Sequence, residues 1–309
     1  MKILYFLCTK WKKMIVYDTC PCCGQKNIAP VFSAEDYTVS HDRFEIWECK
    51  DCTLRFTQQA PSAAEIGPYY QSENYISHSN TNEGLVNKLY HAVRKRTLVQ
   101  KRKWVEKATG KFYGNILDVG CGTGAFLHAM KNAGWNATGL EPDLSARNKA
   151  KELYQLNIEG PEKLFSLPVE SFDAITMWHV LEHVHELHDY IKRLHQLLKP
   201  NGKLFIAVPN YTCYDEKVYN EFWAAYDVPR HLYHFSPASM KTLLALHQMQ
   251  LVSIKPMWYD SFYVCMLSEQ YKTGKSNPVR ACINGGISNM KAMARTEKCS
   301  SVVYIAQST

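Results

Sequence analysis

Four cysteines near the start of the chain have the spacing of metal ligands. Cys20 and Cys23 form one C-x-x-C turn, and Cys49 and Cys52 form a second. Each turn can aim both of its sulfurs at one ion, so two turns supply the four thiolates of a tetrahedral zinc site. A redox motif would need only one such pair. We therefore predict a structural zinc that is closed to substrate, with Cys22 outside the ligand set.

A glycine-rich loop follows a short apolar stretch in the middle of the chain. Residues 116–119 read Ile-Leu-Asp-Val, and the loop contains Gly120, Gly122 and Gly124. Glu141 ends the next apolar stretch about 20 residues later, where an acid that binds ribose hydroxyls is expected. The same glycine spacing also satisfies the dinucleotide fingerprint, so the glycines alone do not identify the cofactor.

Asp118 favours S-adenosylmethionine over a dinucleotide as the cofactor. It lies two residues before the first glycine, where its charge would repel the pyrophosphate of a dinucleotide. The same carboxylate suits the ammonium group of S-adenosylmethionine, directly or through water. We therefore predict that Asp118, the three glycines and Glu141 bind S-adenosylmethionine.

The strings LDVGCGTG and GLEP resemble the class I S-adenosylmethionine-dependent methyltransferases, over roughly residues 110–309. The resemblance implies an α/β fold with a Rossmann-like sheet of seven strands, preceded here by a small zinc-ribbon-like domain. SFDAITMW and KPNGKLFIAVPN would form the fourth and fifth strands, and LVSIKPMW and SSVVYIAQ the final antiparallel pair. Trp178 and His179, at the carboxyl end of the fourth strand, would then line the cofactor pocket.

His179, Glu182 and His183 form an H-x-x-E-H string, which is also the signature of inverted zinc peptidases. A peptidase carries this string inside a helix, whereas here it leaves a predicted buried strand, so we discount a peptidase. Similar LEHV strings occur in methyltransferases resembling those of ubiquinone biosynthesis, where acids near this point can hold a divalent ion. His179 stands at one of those acid positions, which leaves a second metal open.

Two candidate catalytic bases follow the fifth strand, in the stretch EFWAAYDVPRHLYHFS. His231 and His234 can each take up a proton near neutral pH. A loop histidine can equally serve only as a hydrogen-bonding residue. The residues alone leave both interpretations open.

The same stretch is similar to a loop motif, E-H-x-x-Y-F-S, of sugar C-methyltransferases that carry an N-terminal four-cysteine zinc domain and a tyrosine-containing connector. This resemblance places His231 at the proposed base of that family. The chain departs from the motif at Arg230, which replaces the acid, and at His234, which replaces the tyrosine. The connector offers three tyrosines, Tyr69, Tyr70 and Tyr75.

A strongly basic segment precedes the glycine loop, and its only acid is Glu106. A basic helix can bind the phosphates of RNA or of a nucleotide-linked substrate. The simpler interpretation, which we favour, is a solvated helix face whose apolar side packs inward. The basic residues are Lys88, Arg94, Lys95, Arg96, Lys101, Arg102, Lys103 and Lys107.

The length of 309 residues suits one large domain and one small one. We predict an N-terminal extension over 1–13, a zinc-ribbon-like domain over 14–60, a connector and basic helix over 61–110, and a methyltransferase domain over 111–309. The chain has eleven cysteines and no export signal, so we expect reduced thiols and a cytoplasmic protein. No apolar run approaches the ~20 residues that cross a bilayer, so we expect no membrane partner.

These observations predict an S-adenosylmethionine-dependent methyltransferase that acts on a small molecule such as a sugar, a nucleotide-sugar or another metabolite. An RNA methyltransferase is the alternative, with the zinc domain and the basic helix holding RNA. No N/D-P-P-Y/F string follows the predicted fourth strand, which favours the small molecule. A binding protein without catalysis is the third class. The oligomeric state is left open.

Overall fold

The computed structural model describes residues 13–71 and 85–309, with the side chains of the second range described from residue 93. Residues 1–12 of the predicted extension, Tyr75, and the side chain of Lys88 lie outside this description.

The N-terminal part of the chain is a small antiparallel unit. Its strands are β1 (Met14–Ile15), β2 (Ile28–Glu35), β3 (Arg43–Cys49), β4 (Arg55–Thr57) and β5 (Ala60–Pro61). β2, β3 and β4 pair in sequence, and β1 pairs with β5. One C-x-x-C turn precedes β2, and the other joins β3 to β4. Antiparallel pairing of β2 with β3 therefore brings the two cysteine turns to the same end of the sheet.

The basic segment forms a long helix, α1 (Leu85–Thr109). Val105 is fully buried, and Leu98, Trp104 and Ala108 pack beside it against the face of the central sheet. These positions recur at intervals of three or four residues, so they lie on one side of the helix. The apolar side of the basic segment thus packs inward, as the favoured interpretation predicts.

The rest of the chain alternates strands and helices, as expected for an α/β fold. In order, the elements are β6 (Asn115–Val119), α2 (Ala125–Asn132), β7 (Asn136–Leu140), α3 (Leu144–Tyr154), β8 (Phe172–Trp178), α4 (Leu187–Leu197), β9 (Leu198–Pro209), α5 (Tyr214–Tyr219), β10 (Tyr233–His234), α6 (Pro237–Leu246), β11 (Met249–Pro256), α7 (Asp260–Thr273), α8 (Pro278–Ala294) and β12 (Ser301–Ser308).

Short 3₁₀ helices lie between these elements, at Gly67–Tyr70, Pro161–Ser166, Leu181–His183, Asn220–Phe222, Ala224–Tyr226 and Thr296–Lys298.

The central sheet has the order β7-β6-β8-β9-β12-β11. β7, β6, β8 and β9 are parallel, whereas β12 runs antiparallel to both β9 and β11. The strand order reverses direction beside β6, where the carboxyl ends of the parallel strands leave a crevice for ligands. The predicted α/β fold, with its antiparallel final pair, is confirmed.

The central sheet has six strands within the described residues, whereas the resemblance implied seven. Beside β7, where a seventh strand would lie, Leu140 and Glu159 form a single parallel bridge. Gly160 and Pro161 follow this bridge, and a proline has no N–H to extend a ladder. The seventh strand is therefore reduced to one pair of residues.

The small sheet and the large domain share a strand. β10, which follows the candidate base His231, pairs antiparallel with β4, so the small sheet has the order β2-β3-β4-β10. Tyr233 faces Phe56 across this pair, and His234 faces Arg55. The predicted boundary between residues 14–60 and 111–309 is thus crossed by backbone hydrogen bonds. The boundary itself stays a prediction.

Candidate active site

The glycine loop leaves β6 at the carboxyl edge of the central sheet. Gly120, Gly122 and Gly124 have φ angles of 69°, 55° and 76°, which favour glycine. A Cβ atom on Gly120 would lie 2.4 Å from a methyl carbon of Val180, on the segment that follows β8. The loop therefore packs directly against the segment that carries the H-x-x-E-H string.

Glu141 lies just after β7 and holds the glycine loop from the side. Its carboxylate accepts hydrogen bonds from the N–H of Gly122 at 2.8 Å and from the N–H of Asp143 at 3.0 Å. The side chain is buried, and this burial raises the pKa of its carboxyl group. A carboxylate can accept further hydrogen bonds on its remaining lone pairs, so Glu141 could still bind two hydroxyls.

Asp118 is almost completely buried on β6 and accepts a hydrogen bond of 2.6 Å from the hydroxyl of Thr176 on β8. Burial raises the pKa of Asp118 to about 7, although this hydrogen bond and the positive charge of Lys101 act in the opposite direction. An anion that is held in so dry an environment would be stabilised strongly by a cationic ligand.

Lys101 on α1 lies near Asp118 and Trp178, a position that the sequence did not predict. Its Nζ lies 4.2 Å from the ring centre of Trp178, and burial lowers its pKa to about 8 despite the charges of Asp118 and Asp260. Lys101 had been counted among the solvated residues of α1. Its position three residues after Leu98 and four before Val105 is the signal that places it on the inner side of the helix.

His179 is held by two carboxylates. Its Nε2 lies 3.1 Å from Asp260, and its Nδ1 lies 3.3 Å from Glu182. Burial alone would lower the pKa of His179, but the two acids raise it to about 9, so the ring is an imidazolium at neutral pH. The backbone φ of 58° is unfavourable for a residue with a side chain. Asp260, at the start of α7, was not identified from the sequence.

Glu182, His183 and His231 form a compact polar cluster beyond the glycine loop. Their candidate ligand atoms all lie within 4.8 Å of one another. Glu182 is completely buried, and neither oxygen has a well-aligned hydrogen bond in the described part of the chain. Burial would raise the pKa of Glu182, but the nearby His179 ring, whose Nδ1 lies 3.3 Å away, lowers it. The carboxylate is therefore an anion whose counter-charge is His179.

His183 lies between the connector and the loop after β9. Its Nδ1 is 3.1 Å from the hydroxyl of Tyr70 and 3.0 Å from the carbonyl oxygen of Arg230. Burial and the charge of His231 lower the pKa of His183 to about 4. The ring is thus neutral at pH 7, and a carbonyl can only accept, so Nδ1 carries the hydrogen.

One ring nitrogen of His231 donates a hydrogen bond, and the other can accept a proton. Its Nδ1 donates to the carbonyl oxygen of Ala225 at 2.9 Å, so in the neutral ring Nε2 carries the lone pair. Nε2 lies 3.9 Å from the carboxylate of Asp227. The ring also contacts that of His183, with a centroid distance of 4.6 Å. His231 therefore has the orientation that a proton acceptor needs.

The hydroxyl of Thr57 on β4 donates to the carbonyl oxygen of His231 at 2.7 Å, and the N–H of Thr57 donates to the carbonyl oxygen of Leu232. The small sheet thus holds the backbone on which His231 is carried.

His234 lies in the contact between the two sheets. Its Nε2 is 3.2 Å from the hydroxyl of Thr57, and its ring packs edge-on against Tyr226 with a centroid distance of 4.9 Å. Burial and the neighbouring charges of His231 and Arg55 lower its pKa well below the usual value. Its surroundings are those of a packed interface residue.

The four sulfurs predicted to bind zinc are brought together. Cys20 and Cys52 lie 3.5 Å apart, Cys23 and Cys49 lie 3.6 Å apart, and all four sulfurs are within 4.8 Å of one another. A tetrahedral ion with bonds of about 2.3 Å needs sulfurs about 3.8 Å apart, so the set fits zinc. Cys22 is not one of the four, and its sulfur lies 3.6 Å from the carbonyl oxygen of Ser239.

Known proteins with similar sequences include methyltransferases. The ubiquinone biosynthesis O-methyltransferase of Actinobacillus pleuropneumoniae serotype 7 is 39% identical over 118 residues, covering 35% of this chain and 50% of that protein. The protein of the same name from Xanthomonas oryzae pv. oryzae is 30% identical over 161 residues, covering 47% and 66%. The chain thus spans between half and two thirds of the length of these relatives.

A solved structure shows the same fold. Geranyl diphosphate C-methyltransferase from Streptomyces coelicolor superposes with a TM-score of 0.51 at 14% identity, over 74% of this chain and 88% of that protein. Residues 88–254, more than half of the chain, match the family described as a methyltransferase domain. From this match and the observed sheet order, we conclude that the chain belongs to the methyltransferase domain family.

Proposed function

We propose that the protein transfers a methyl group from S-adenosylmethionine to a small molecule. The observation that carries this proposal is the close contact between Gly120 and Val180. It joins the glycine loop to the segment that bears Glu182 and His183, which in turn contact His231. The glycine loop and the candidate base are therefore linked through one segment, residues 180–183.

The cofactor would be held by three charged side chains. Glu141 would accept the ribose hydroxyls, and Asp118 would bind the ammonium group, directly or through water. Lys101, near Asp118 and over Trp178, is placed to bind a carboxylate. Bound S-adenosylmethionine supplies an activated sulfonium methyl group, so the protein mainly has to orient the acceptor in line with it.

His231 is the residue that we propose removes a proton from the acceptor. Its Nε2 carries the lone pair, because Nδ1 donates to Ala225. After proton transfer, the imidazolium would be stabilised by Asp227 at 3.9 Å and by the buried anion of Glu182. An acceptor hydroxyl or an acidic C–H group would need such a base. We assign His234 instead to the contact between the sheets.

We further propose that His179 substitutes for a divalent ion. The acids that can hold such an ion in methyltransferases of ubiquinone biosynthesis lie near this point, and one of their positions is His179 here. The Glu182, His183 and His231 set could accept a metal by its spacing. However, Glu182 already faces the imidazolium of His179 at 3.3 Å. A second cation close by would be repelled, so the chain's own charge makes the ion unnecessary.

A small acceptor fits the accessibility of His231 better than RNA does. The side chain of His231 is only 11% exposed, so a nucleotide would have to leave its strand to reach it. The names of the relatives support an O-acceptor, and the loop resemblance supports a sugar or a nucleotide-sugar. Both acceptor classes carry a proton that His231 could remove.

The test is transfer of labelled methyl from S-adenosylmethionine to separate pools of nucleotide-sugars, phenolic quinone precursors, total metabolites and RNA. His231→Asn serves as the matched control, because asparagine can still donate to Ala225. We expect label in a small-molecule pool with the wild-type protein and little with the variant. Label that appears in RNA alone would contradict the proposal.

A further inference from the structure

The hairpin of α7 and α8 has its large apolar side chains on the outside. The exposed apolar residues are separated by three, four or seven positions along each helix, so each set forms a stripe along one side. Their exposed fractions range from 38% to 76%. The residues are Tyr259, Phe262, Tyr263 and Met266 at α7, and Val279, Ile283, Met290 and Met293 on α8.

The inner sides of the same two helices are small or polar. Among them, Gly285 lies so close to Phe262 that a Cβ atom would be 2.9 Å from its ring. The buried residues are Ser261, Val264, Cys265, Ser268 and Glu269 on α7, and Ala281, Asn284, Gly285, Ser288 and Ala292 on α8. This distribution is the reverse of that in an ordinary surface helix. Exposed apolar stripes of this kind usually mark a binding surface.

Positive charges occur along the segment that carries the apolar stripes. The sequence from 270 to 296 contains no acid, and its cations are Lys272, Lys275, Arg280, Lys291 and Arg295. Arg280 is paired with Glu269, and Arg295 with Glu297. Across a cavity of about 670 Å³, Trp258 and Tyr259 face the outer side of α1, which presents Lys95, Arg96 and Lys103. These three side chains are exposed. The aromatic residues at the start of α7 and three cations of α1 therefore line one cavity, together with Asp260.

We propose that the outer face of α7 and α8 binds the surface of an anionic lipid bilayer. Aromatic, methionine and branched aliphatic side chains favour the boundary between headgroups and acyl chains, and flanking lysines and arginines favour anionic headgroups. In the described residues, no helix is long and apolar enough to cross a membrane. These two helices would lie on the surface of the bilayer.

Charge favours an anionic bilayer over a second copy of the chain as the partner of the outer face of α7 and α8. A symmetric dimer would place the same cation-rich rim against itself, because an isologous interface uses one surface twice. Like charges across such an interface are unfavourable. RNA would satisfy the cations but would leave the outward-facing stripe of Val279, Ile283, Met290 and Met293 without a suitable partner. An anionic bilayer complements both the charges and the apolar side chains.

Sedimentation with lipid vesicles tests the proposal on the full chain. We expect the wild-type protein to sediment with phosphatidylglycerol vesicles, to remain in solution with phosphatidylcholine vesicles, and to be released by salt. The combined variant Ile283→Ser, Met290→Ser and Met293→Ser should bind the vesicles at least about ten-fold more weakly, because each buried CH₂ group contributes to insertion. Neutralising Lys95, Arg96 and Lys103 to glutamine should weaken binding in the same direction.

Two matched variants separate this surface from general effects of substitution. Leu144→Ser, Leu153→Ser and Val169→Ser remove equally exposed apolar side chains elsewhere and should leave binding unchanged. Lys131→Gln, Lys149→Gln and Lys151→Gln should do the same for charge. The melting temperature of every variant should match the wild type.

Failure of the wild-type protein to bind anionic vesicles would overturn the proposal. So would equal binding by the α8 variant and its control. A molar mass in solution that falls from dimer to monomer in the α8 variant, without vesicle binding, would assign the face to self-association instead.

Discussion

The guanidinium of Arg230 lies 2.9 Å from the carboxylate of Asp36, and both side chains are almost completely buried. Arg230 precedes the candidate base, whereas Asp36 follows β2 in the small sheet. The guanidinium also contacts Asp227, the hydroxyl of Thr38 and the carbonyl oxygen of Tyr69. The arginine that replaces the acid of the sugar-methyltransferase motif thus ties the loop of His231 to the N-terminal part of the chain.

Removing the charge of Asp36 should loosen this loop. We expect Asp36→Asn to lower the free energy of unfolding by about 1–3 kcal/mol, because the buried guanidinium of Arg230 keeps Asp227 but loses the charge of its other carboxylate partner. Turnover should fall while the affinity for S-adenosylmethionine stays the same. Denaturant unfolding and calorimetry measure the two quantities, and Glu35→Gln, at the neighbouring exposed pair, is the control. Unchanged stability in Asp36→Asn would contradict this role of the ion pair.

The same carboxylate should make the protein sensitive to acid. Burial would raise the pKa of Asp36, but its hydrogen bonds with Ser40 and Arg230 lower it to about 2, from an ordinary value of 3.8. A depressed pKa in the folded state stabilises the protein above the unfolded pKa. We therefore expect about 2 kcal/mol to be lost as pH falls from about 5 toward 2. Asp36→Asn should lack this part of the pH dependence, which unfolding curves across that range would show.

The two C-x-x-C turns should bind about one zinc per chain. Cys49→Ser should lose the metal and destabilise the small sheet, because three thiolates are left for a four-coordinate ion. Cys22→Ser is the matched control, since its sulfur points to Ser239, and it should keep the metal. Metal analysis after growth in zinc-replete medium measures both. A zinc-free wild-type protein, or loss of zinc in Cys22→Ser alone, would contradict the assignment.

Cofactor affinity should rise with pH near neutrality. The pKa of Asp118 is raised to about 7 by burial, and only its ionised form attracts an ammonium group. From pH 6 to pH 7.5 the ionised fraction, and with it the affinity for S-adenosylmethionine, should rise about eight-fold. Asp118→Asn should bind about 1–3 kcal/mol more weakly and lose this dependence. Calorimetry at several pH values tests the claim, and a pH-independent wild-type affinity would contradict it.

His231→Asn should lower turnover by about 10²–10⁴-fold with cofactor affinity intact, because asparagine cannot accept the proton. His234→Asn should instead lower the free energy of unfolding, since its ring packs on Tyr226 in the contact between the sheets. Its turnover per folded molecule should stay close to normal. Both measurements use the acceptor identified by methyl labelling. Near-normal turnover in both variants would mean that neither histidine is the base.

Turnover should not depend on a divalent ion if His179 supplies the positive charge beside Glu182. Treatment with EDTA that leaves the zinc in place, as checked by metal analysis, should not change the rate, and added Mg²⁺ should not raise it. His179→Glu restores an acid at this position and should create a dependence on Mg²⁺. Stimulation of the wild-type protein by Mg²⁺ would contradict the substitution of His179 for an ion.

The local patterns were sufficient to predict much of the fold. Glycines with left-handed φ follow β6 as expected, and the cysteine pairs meet at one end of a sheet. These features depend on residues within a few positions, or on the regular order of a parallel sheet. The sequence also predicted that an apolar side of α1 packs inward, but it placed Lys101 on the solvated side.

Contacts between distant segments could not be predicted in this way. Asp36 and Arg230 are 194 residues apart in the chain, and nothing in either neighbourhood indicates the other. Asp260 carries no motif, yet it contributes to the charge of His179. The seventh strand is lost because its hydrogen bonds with β7 stop before Pro161. How far such a ladder extends depends on tertiary pairing, which the local sequence does not determine. These contacts decide which polar residues form the site.

The pairing of β4 with β10 has a consequence for synthesis of the chain. Residues 55–57 leave the ribosome about 176 residues before residues 233–234, which corresponds to roughly 10–35 s of elongation. Until then the nascent small sheet presents an open hydrogen-bonding edge, which other chains can join. Slow translation should therefore favour co-translational aggregation, even if the finished protein is stable.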